Sequence, residues 1–144
     1  MGENINVSII IPHYNTPKLL KVLLDSVPQR DDVQVIVIDD KSTKEVDYYR
    51  NLTKDSRYKH VTFLTNNRKN KGAGAARNVG LEIAEGKWLL FADADDRFTD
   101  NMYDSIRKYF ECSYDIVYFP FTSVYESGEL ADRHGEVSYF VDEY

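Results

Sequence analysis

The sequence predicts an α/β fold: a mostly parallel sheet flanked by helices, with a hairpin-like extension at its C-terminal end. Three observations lead there. Strand-like and helix-like segments alternate along the chain, which favours parallel strands joined by right-handed crossovers. The strand-like segments are continuous β-branched and aliphatic runs, as expected of strands covered on both faces. Each run stops abruptly in polar, acidic or glycine-rich residues, and in open parallel sheets ligands gather beyond the carboxyl ends of the strands.

Residues 6–11 form the first β-branched run, closed by Pro12. Thr16-Pro17 then offers an N-cap followed by proline at the first helical position, and Leu19, Leu20, Leu23, Leu24 and Val27 recur at helical spacing until Pro28. Residues 33–38 make a second strand ended by Asp39-Asp40-Lys41-Ser42-Thr43, where Ser42 or Thr43 is the expected cap of a helix reaching to about Lys54. Residues 60–65 read as a third strand. A polar loop leads from it to Gly72, after which Ala75, Ala76, Val79, Ile83 and Ala84 mark a helix expected to end at Gly86. Residues 87–92 give a fourth strand, residues 99–110 a helix and residues 115–120 a fifth strand. Past Phe121 the pattern weakens to residues 122–125, a Ser127-Gly128 turn and an apolar stretch at 137–141, which together suggest a hairpin over the end of the sheet.

A chain of 144 residues is the size of one domain, and such a chain buries about two-thirds of its unfolded surface. With 42% hydrophobic and 29% charged residues it has the composition of an ordinary globular protein, and no stretch approaches the ~20 apolar residues that span a bilayer. Met1-Gly2-Glu3-Asn4 has no basic n-region and the apolar run at 7–11 is too short for a signal peptide, so the expected location is cytoplasmic, including a peripheral position at the inner face of a membrane. Cys112 is the single cysteine, which excludes an internal disulfide and a thiolate zinc site; it reads as a small core residue. A net charge of −6 argues against general nucleic-acid binding. The tyrosines between Tyr103 and Tyr144 suit either a homo-oligomer contact or the cover of the sheet.

The most telling segment is Trp88-Leu89-Leu90-Phe91-Ala92-Asp93-Ala94-Asp95-Asp96, an apolar strand that ends in three carboxylates within four residues. Asp93 and Asp95, one residue apart in a turn, suit a hard cation, Mn²⁺ or Mg²⁺, whose coordination is completed by phosphate oxygens. A solvated acidic turn is the plainer alternative. Arg68, Lys69 and Lys71 gather just before Gly72-Ala73-Gly74, with Arg77 about a turn further on. That loop lacks both the G-x-G-x-x-G and the G-x-x-x-x-G-K-[ST] spacing, so neither a dinucleotide fold nor a P-loop is indicated. A helix start with free amides, glycines and nearby cations nevertheless attracts a diphosphate. Asp39-Asp40 suits a ribose or a base edge, with helix capping as the alternative, and Tyr14 offers a ring for a base. His13 reads as a loop residue rather than a catalyst, His60 and His134 have no catalytic or zinc partners, and Trp88 reads as core.

Four segments then match something specific: Val7-Ser8-Ile9-Ile10-Ile11-Pro12-His13-Tyr14-Asn15, Val35-Ile36-Val37-Ile38-Asp39-Asp40-Lys41-Ser42-Thr43, Asn70-Lys71-Gly72-Ala73-Gly74-Ala75-Ala76-Arg77-Asn78-Val79-Gly80 and Phe91-Ala92-Asp93-Ala94-Asp95-Asp96. In that order they resemble the serial signatures of glycosyltransferase family 2, inverting enzymes of GT-A, Rossmann-like fold that use nucleotide sugars. The resemblance covers about residues 5–120. It implies that Pro12, Tyr14, Asp39 and Asp40 hold a nucleoside such as uridine, and that Asn70, Gly72 and Arg77 lie near the base and diphosphate. Asp93 and Asp95 resemble the DxD motif: Asp95 is the expected direct ligand of Mn²⁺ or Mg²⁺, Asp93 reaches ribose or metal-bound water, and Asp96 supports the turn. The implied partners are a nucleotide-diphospho-sugar donor and a saccharide or other hydroxyl acceptor.

In this family the catalytic base is an acidic residue of a later segment, where acceptor recognition is also built. Asp142 and Glu143 come too early and too near the terminus for that role. The expectation is therefore one nucleotide-sugar-binding domain over residues 1–144, ending before the acceptor-binding part, with the base unassigned. Two other readings remain open at this point. One is a non-catalytic nucleotide-sugar-binding or interaction module. The other is a sugar nucleotidyltransferase, although Pro12-His13-Tyr14-Asn15 does not supply that class's glycine-rich loop after the first strand.

Overall fold

In the computed structural model, residues 4–125 are described together with Ser127 and Glu129. The chain divides after Cys112 into two compact units. The first unit holds four strands, β1 (Val7–His13), β2 (Val33–Asp39), β3 (Val61–Thr65) and β4 (Trp88–Phe91). Between and after them lie the helices α1 (Pro17–Ser26), α2 (Val46–Lys54), α3 (Ala73–Leu81) and α4 (Met102–Arg107), and a 3-10 turn at Ser56–Tyr58. All strand pairs are parallel and the order is β3-β2-β1-β4. The chain thus winds outward from β1 in one direction and then reverses to β4, leaving the topological switch point between β1 and β4. None of the described helices is long and apolar enough to cross a membrane.

Alternation along β1 and β2 builds two cores. Ile9, Ile11, Val35 and Val37 face Leu20, Leu23 and Leu24 of α1, Leu52 of α2, and Met102, Ile106 and Phe110. Ile10, Ile36 and Ile38 face the other way onto Ala76 of α3, flanked by Leu64 and Val79. Each fully buried aliphatic side chain contributes roughly 1.5–3 kcal/mol. The small residues of α3 bring it close: a Cβ added at Gly80 would lie 2.7 Å from Ile38 Cδ1 and 2.8 Å from Ile10 Cγ2.

The strand and helix assignments agree with expectation at β1 to β4, at α1 and at the start of α3, and differ elsewhere for identifiable reasons. β1 does not stop at Pro12 but runs on to His13, paired through His13↔Asp39 with β2. Alternate residues of a parallel strand bond to opposite neighbours. The His13 carbonyl accepts from Asp40 N–H at 2.8 Å on the β2 side, and the Ile10 carbonyl accepts from Ala92 N–H at 3.2 Å on the β4 side. Pro12 shares the orientation of Ile10, so its missing N–H ends the β1–β4 ladder while β1–β2 pairing continues.

Ser42 and Thr43 do not cap α2, which starts later, behind Glu45 in the left-handed region at φ 50°. Ser42 is committed to Asp39 instead, through its hydroxyl at 2.5 Å and its N–H at 3.1 Å. Gly86 is not the end of α3, which stops at Leu81. Its N–H donates at 2.8 Å to the Ser8 hydroxyl, which donates in turn to Gln34 Oε1 at 2.5 Å. α4 is confined to Met102–Arg107, because single-turn bonds such as Met102 N–H to Thr99 O and Phe110 N–H to Arg107 O replace regular helix on either side. Trp88 is half-buried against the first core, donating from Nε1 to Phe110 O at 3.2 Å, and Cys112 is free and partly buried rather than fully inside.

In the second unit, residues 115–120 form no strand. A strand exists only where a neighbour completes its ladder, and the described part of this unit offers none to that stretch. The Tyr125 N–H donates to the Glu129 carbonyl at 2.8 Å. The expected strand at 137–141, His134, and Asp142 and Glu143 lie outside the described residues.

Two glycines give opposite expectations. A Cβ at Gly86 would lie 2.7 Å from the Val7 carbonyl carbon and also meet the Ser8 backbone, so Gly86→Ala must displace the central strand. The expected loss is about 1–3 kcal/mol. Gly74 in α3 has nothing within 4 Å of an added Cβ, so Gly74→Ala is expected to gain roughly 0.5–1 kcal/mol from helix propensity. Urea unfolding of the two variants beside the parent chain checks both signs.

Candidate functional site

The carboxyl edge of the sheet carries four buried polar residues placed directly after or at strand ends: His13 at the end of β1, Asp39 at the end of β2 with Asp40 just after it, and Asn66 after β3. Their hydrogen bonds tie the loops of this edge together. The His13 imidazole is fully enclosed and stacks on Tyr49 at 4.7 Å with an interplanar angle of 9°. Its Nε2 lies 3.2 Å from the Thr16 N–H, a donor, so Nε2 accepts and Nδ1 carries the proton given to Asp39 Oδ1 at 2.9 Å. His13 is therefore a neutral connector between β1 and β2 rather than a loop residue. Ser42 extends the network, accepting the Asn15 N–H at 2.8 Å, and Asn15 Oδ1 accepts the Thr43 and Lys44 amides at 2.7 and 2.9 Å. Asn15 and Lys41 hold left-handed backbone, φ 59° and 63°, at the bends that bring these two loops together.

Burial pushes the Asp39 carboxyl up, but the hydrogen bonds from His13 and Ser42 outweigh it and hold the group below the ordinary carboxylate range. A carboxylate depressed in the folded state stabilises the fold above its unfolded value of about 3.9 and loses that contribution as pH falls through the folded value. Asp39→Asn should lower the melting temperature at neutral pH, because the Ser42 donors then face an amide. It should also make the decline of melting temperature between about pH 4 and pH 2 shallower than in the parent chain, which thermal melts across that range measure.

Asp40 does a different job. Its Oδ2 accepts the Gly72 N–H at 2.7 Å and its Oδ1 accepts Asn66 Nδ2 at 2.8 Å. Asn66 Nδ2 also donates to the Asn70 carbonyl at 2.9 Å, and Asn66 Oδ1 accepts the Arg68 N–H at 3.1 Å. Asp40 and Asn66 thus fold the whole basic loop and fix the start of α3, whose N-cap Gly72 sits at φ 115°, where a side chain would be strained. The cations of that loop take distinct positions. Lys71 Nζ lies 3.9 Å above the Tyr14 ring and holds its phenol below the usual range, through hydrogen bonding first and charge second. Arg68 pairs with Glu82, and Lys41 donates to the Arg68 carbonyl. Lys69 is exposed.

The acidic turn follows β4. Asp96 N–H donates to the Asp93 carbonyl at 2.9 Å, and the Asp96 carboxylate accepts the Asp93 N–H at 2.8 Å, so the turn is locked by its own residues. Asp93 Oδ1 accepts from an Arg77 guanidinium N–H at 2.6 Å. This links the strand after the switch point to α3 and brings the two sequence-predicted segments together. The pair is partly exposed, at 32% and 58% of the side chains, so it contributes about 1 kcal/mol or less. Arg77 Nε is buried and has no hydrogen-bond partner among the described residues. Asp95 is exposed and, among the described residues, unpaired.

Pro12, Tyr14, Asp39, Asp40, Asn70, Gly72, Arg77, Asp93 and Asp95 all stand on this one edge, beyond or at the strand ends. His13, Asn15, Ser42 and Asn66 shape the site without having been among its expected residues. Their common signal is a hydrogen-bonding residue within a few positions of a strand's carboxyl end. Among the described residues no three His, Cys, Asp or Glu side chains gather closely enough to cage a metal. One unpaired carboxylate and one paired with arginine fit the alternative, a Mg²⁺- or Mn²⁺-class ion that draws its other oxygens from a diphosphate and water.

Comparison with known proteins agrees with this architecture. S. aureus TarS 1-349 in complex with UDP-GlcNAc superposes with a TM-score of 0.63 at 27% identity, over 74% of this chain and 31% of that one. The mannosyltransferase PcManGT from Pyrobaculum calidifontis, solved with GDP-Man and Mn²⁺, gives a TM-score of 0.64 at 23% identity over 77% of this chain and 34% of that one, a likeness of fold. The fold is thus that of the GT-A glycosyltransferases. Residues 8–142 match the sequence profile described as Glycosyl transferase family 2, and the chain belongs to that family. The match extends beyond residue 120, where the resemblance read from the sequence ends. A similar sequence is the poly(ribitol-phosphate) beta-glucosyltransferase of Bacillus spizizenii, 36% identical over 95 residues, 62% of this chain and 15% of that protein. The chain spans about 15 to 34% of the length of the curated relatives it matches.

Proposed function

We propose that this chain is the donor-binding part of a metal-dependent, inverting glycosyltransferase that takes a nucleotide-diphospho-sugar, a UDP-sugar, and passes the sugar to a saccharide or other hydroxyl acceptor. The observation that carries the proposal is the Arg77–Asp93 contact, which sets a cation from the start of α3 against the acidic turn at the β1/β4 switch point. The complex of S. aureus TarS with UDP-GlcNAc supports the choice of donor.

In this reading Tyr14, with Pro12 behind it, receives the base, and the Asp39 and Asp40 loops shape the nucleoside pocket. Asn70, Gly72 and the first turn of α3 face the base and diphosphate, where helix amides and Arg77 stabilise negative charge. Asp95 and Asp93 hold a Mn²⁺ or Mg²⁺ ion, which when bound neutralises charge growing on the departing nucleoside diphosphate. The acceptor site and the base that deprotonates it are assigned to none of the described residues.

Calorimetry with UDP tests the proposal directly. UDP is expected to bind at least about tenfold tighter with saturating Mn²⁺ than without it, about 1.4 kcal/mol. Equal affinity under both conditions would overturn the metal-holding role given to Asp95 and Asp93. Metal-dependent UDP binding without donor hydrolysis or transfer would mark a binding module instead.

A further inference from the structure

We infer that Arg77 is a latch on the metal-binding turn: without a donor its guanidinium occupies Asp93, and an arriving diphosphate draws it away, so that nucleotide and divalent ion bind as a coupled pair. The inference rests on the donor-site reading above and specifies how that site is kept closed to metal alone.

Four observations carry it. Arg77 donates to Asp93 Oδ1 at 2.6 Å, so one oxygen of that carboxylate, and part of its negative charge, is already taken by a cation. The same guanidinium leaves Nε buried without a partner among the described residues, a donor that an anion lying along its edge would satisfy. The turn itself is locked by the reciprocal Asp93–Asp96 bonds, so only the Asp93 and Arg77 side chains have to move. Asp95 is unpaired among the described residues, so the latch acts on one of the two acidic ligands and not on the other.

The direction of movement follows from helix geometry. Arg77 lies four residues after Ala73, and helical side chains lean toward the N-terminus of their helix. The guanidinium therefore reaches between the acidic turn and the amide-rich start of α3, where a diphosphate is proposed to bind. Linkage makes the effect reciprocal: whatever factor UDP adds to Mn²⁺ affinity by drawing Arg77 off Asp93, Mn²⁺ adds to UDP affinity.

The test measures Mn²⁺ binding to the whole chain without nucleotide, by electron paramagnetic resonance of the free ion, and UDP binding by calorimetry at saturating Mn²⁺. Arg77→Met is expected to bind Mn²⁺ alone about fivefold tighter, the factor an exposed ion pair can withhold, and to bind UDP more weakly. Arg77→Gln, a second neutral side chain, should behave alike. In an Asp93→Asn background the Arg77→Met change should no longer raise Mn²⁺ affinity, because the double-mutant cycle removes the shared partner. Arg97→Met, which deletes a neighbouring charge that has no ion-pair partner among the described residues, should leave Mn²⁺ affinity unchanged.

Unchanged Mn²⁺ affinity in both Arg77 variants overturns the latch. So does an equal rise in the Asp93→Asn background, or an equal rise from Arg97→Met. Each of these results leaves metal-dependent UDP binding by the parent chain intact, and with it the donor-site reading. Loss of metal dependence in the parent chain itself would overturn that reading and the latch together.

Discussion

Asp95→Ala is expected to abolish the part of UDP affinity that depends on Mn²⁺, a loss of at least about tenfold at saturating metal, while leaving metal-free UDP binding as it was. The reasoning is local. Asp95 is exposed and has no partner among the described residues, so its carboxylate makes no interaction there that supports stability. A surface change of that kind moves stability by no more than about 0.5 kcal/mol. The loss of binding would therefore report the ligand and not the scaffold. Titrations with UDP, with and without Mn²⁺, on parent and variant make the comparison. A variant that retains the full metal-dependent gain would remove Asp95 from the site.

The second large effect is structural and falls on Asp40. Asp40→Ala deletes the acceptor of the Gly72 N–H and one of the two acceptors of Asn66 Nδ2, in a position only 4% exposed. A buried donor left unsatisfied costs about 1–3 kcal/mol, so the two together put the expected loss at about 2–4 kcal/mol. That corresponds to a fall in melting temperature of roughly 8 °C or more for a unit of this size. UDP affinity should fall as well, because Asp40 holds both the basic loop and the first turn of α3. An unchanged melting temperature would contradict the role given to this carboxylate. The contrast between the variants is informative: Asp95→Ala separates binding from folding, whereas Asp40→Ala couples them.

Much of this architecture could be read from the residues because the relevant forces are short-ranged in sequence. Unbroken runs such as Val35-Ile36-Val37-Ile38 leave few alternatives to a doubly covered strand, and Pro17 marks a helix start in any context. The gathering of Asp39-Asp40, the Gly72 loop and the Asp93 turn on one edge followed from parallel topology alone. The misjudged elements depend on partners far along the chain. Ser42 has the profile of a helix cap, but its hydroxyl is claimed by Asp39 and its loop by Asn15. Gly86 has the profile of a helix end, yet its amide is needed by Ser8, 78 residues earlier. The stretch at 115–120 has strand composition, which is not sufficient without a neighbouring ladder.

In the site, residue type was informative and pairing was not. Asp39 and Asp40 are chemically identical neighbours, and only the fold distinguishes them: one binds the His13 ring and the other binds Gly72 and Asn66. His13 was undervalued because a histidine following proline at a strand end has no local pattern that signals burial. Asn66 lay hidden in a polar stretch, Asn66-Asn67-Arg68-Lys69-Asn70, where nothing in composition separates a buried amide from its solvated neighbours.

The imino acid at position 12 makes the parting of the central strand from its neighbour a matter of one missing hydrogen. Had an ordinary amide stood there, it could have gone on donating toward β4, and the ladder between the two could have zipped further. Where that seam stops is thus written into the covalent chain itself and does not depend on how any side chain packs.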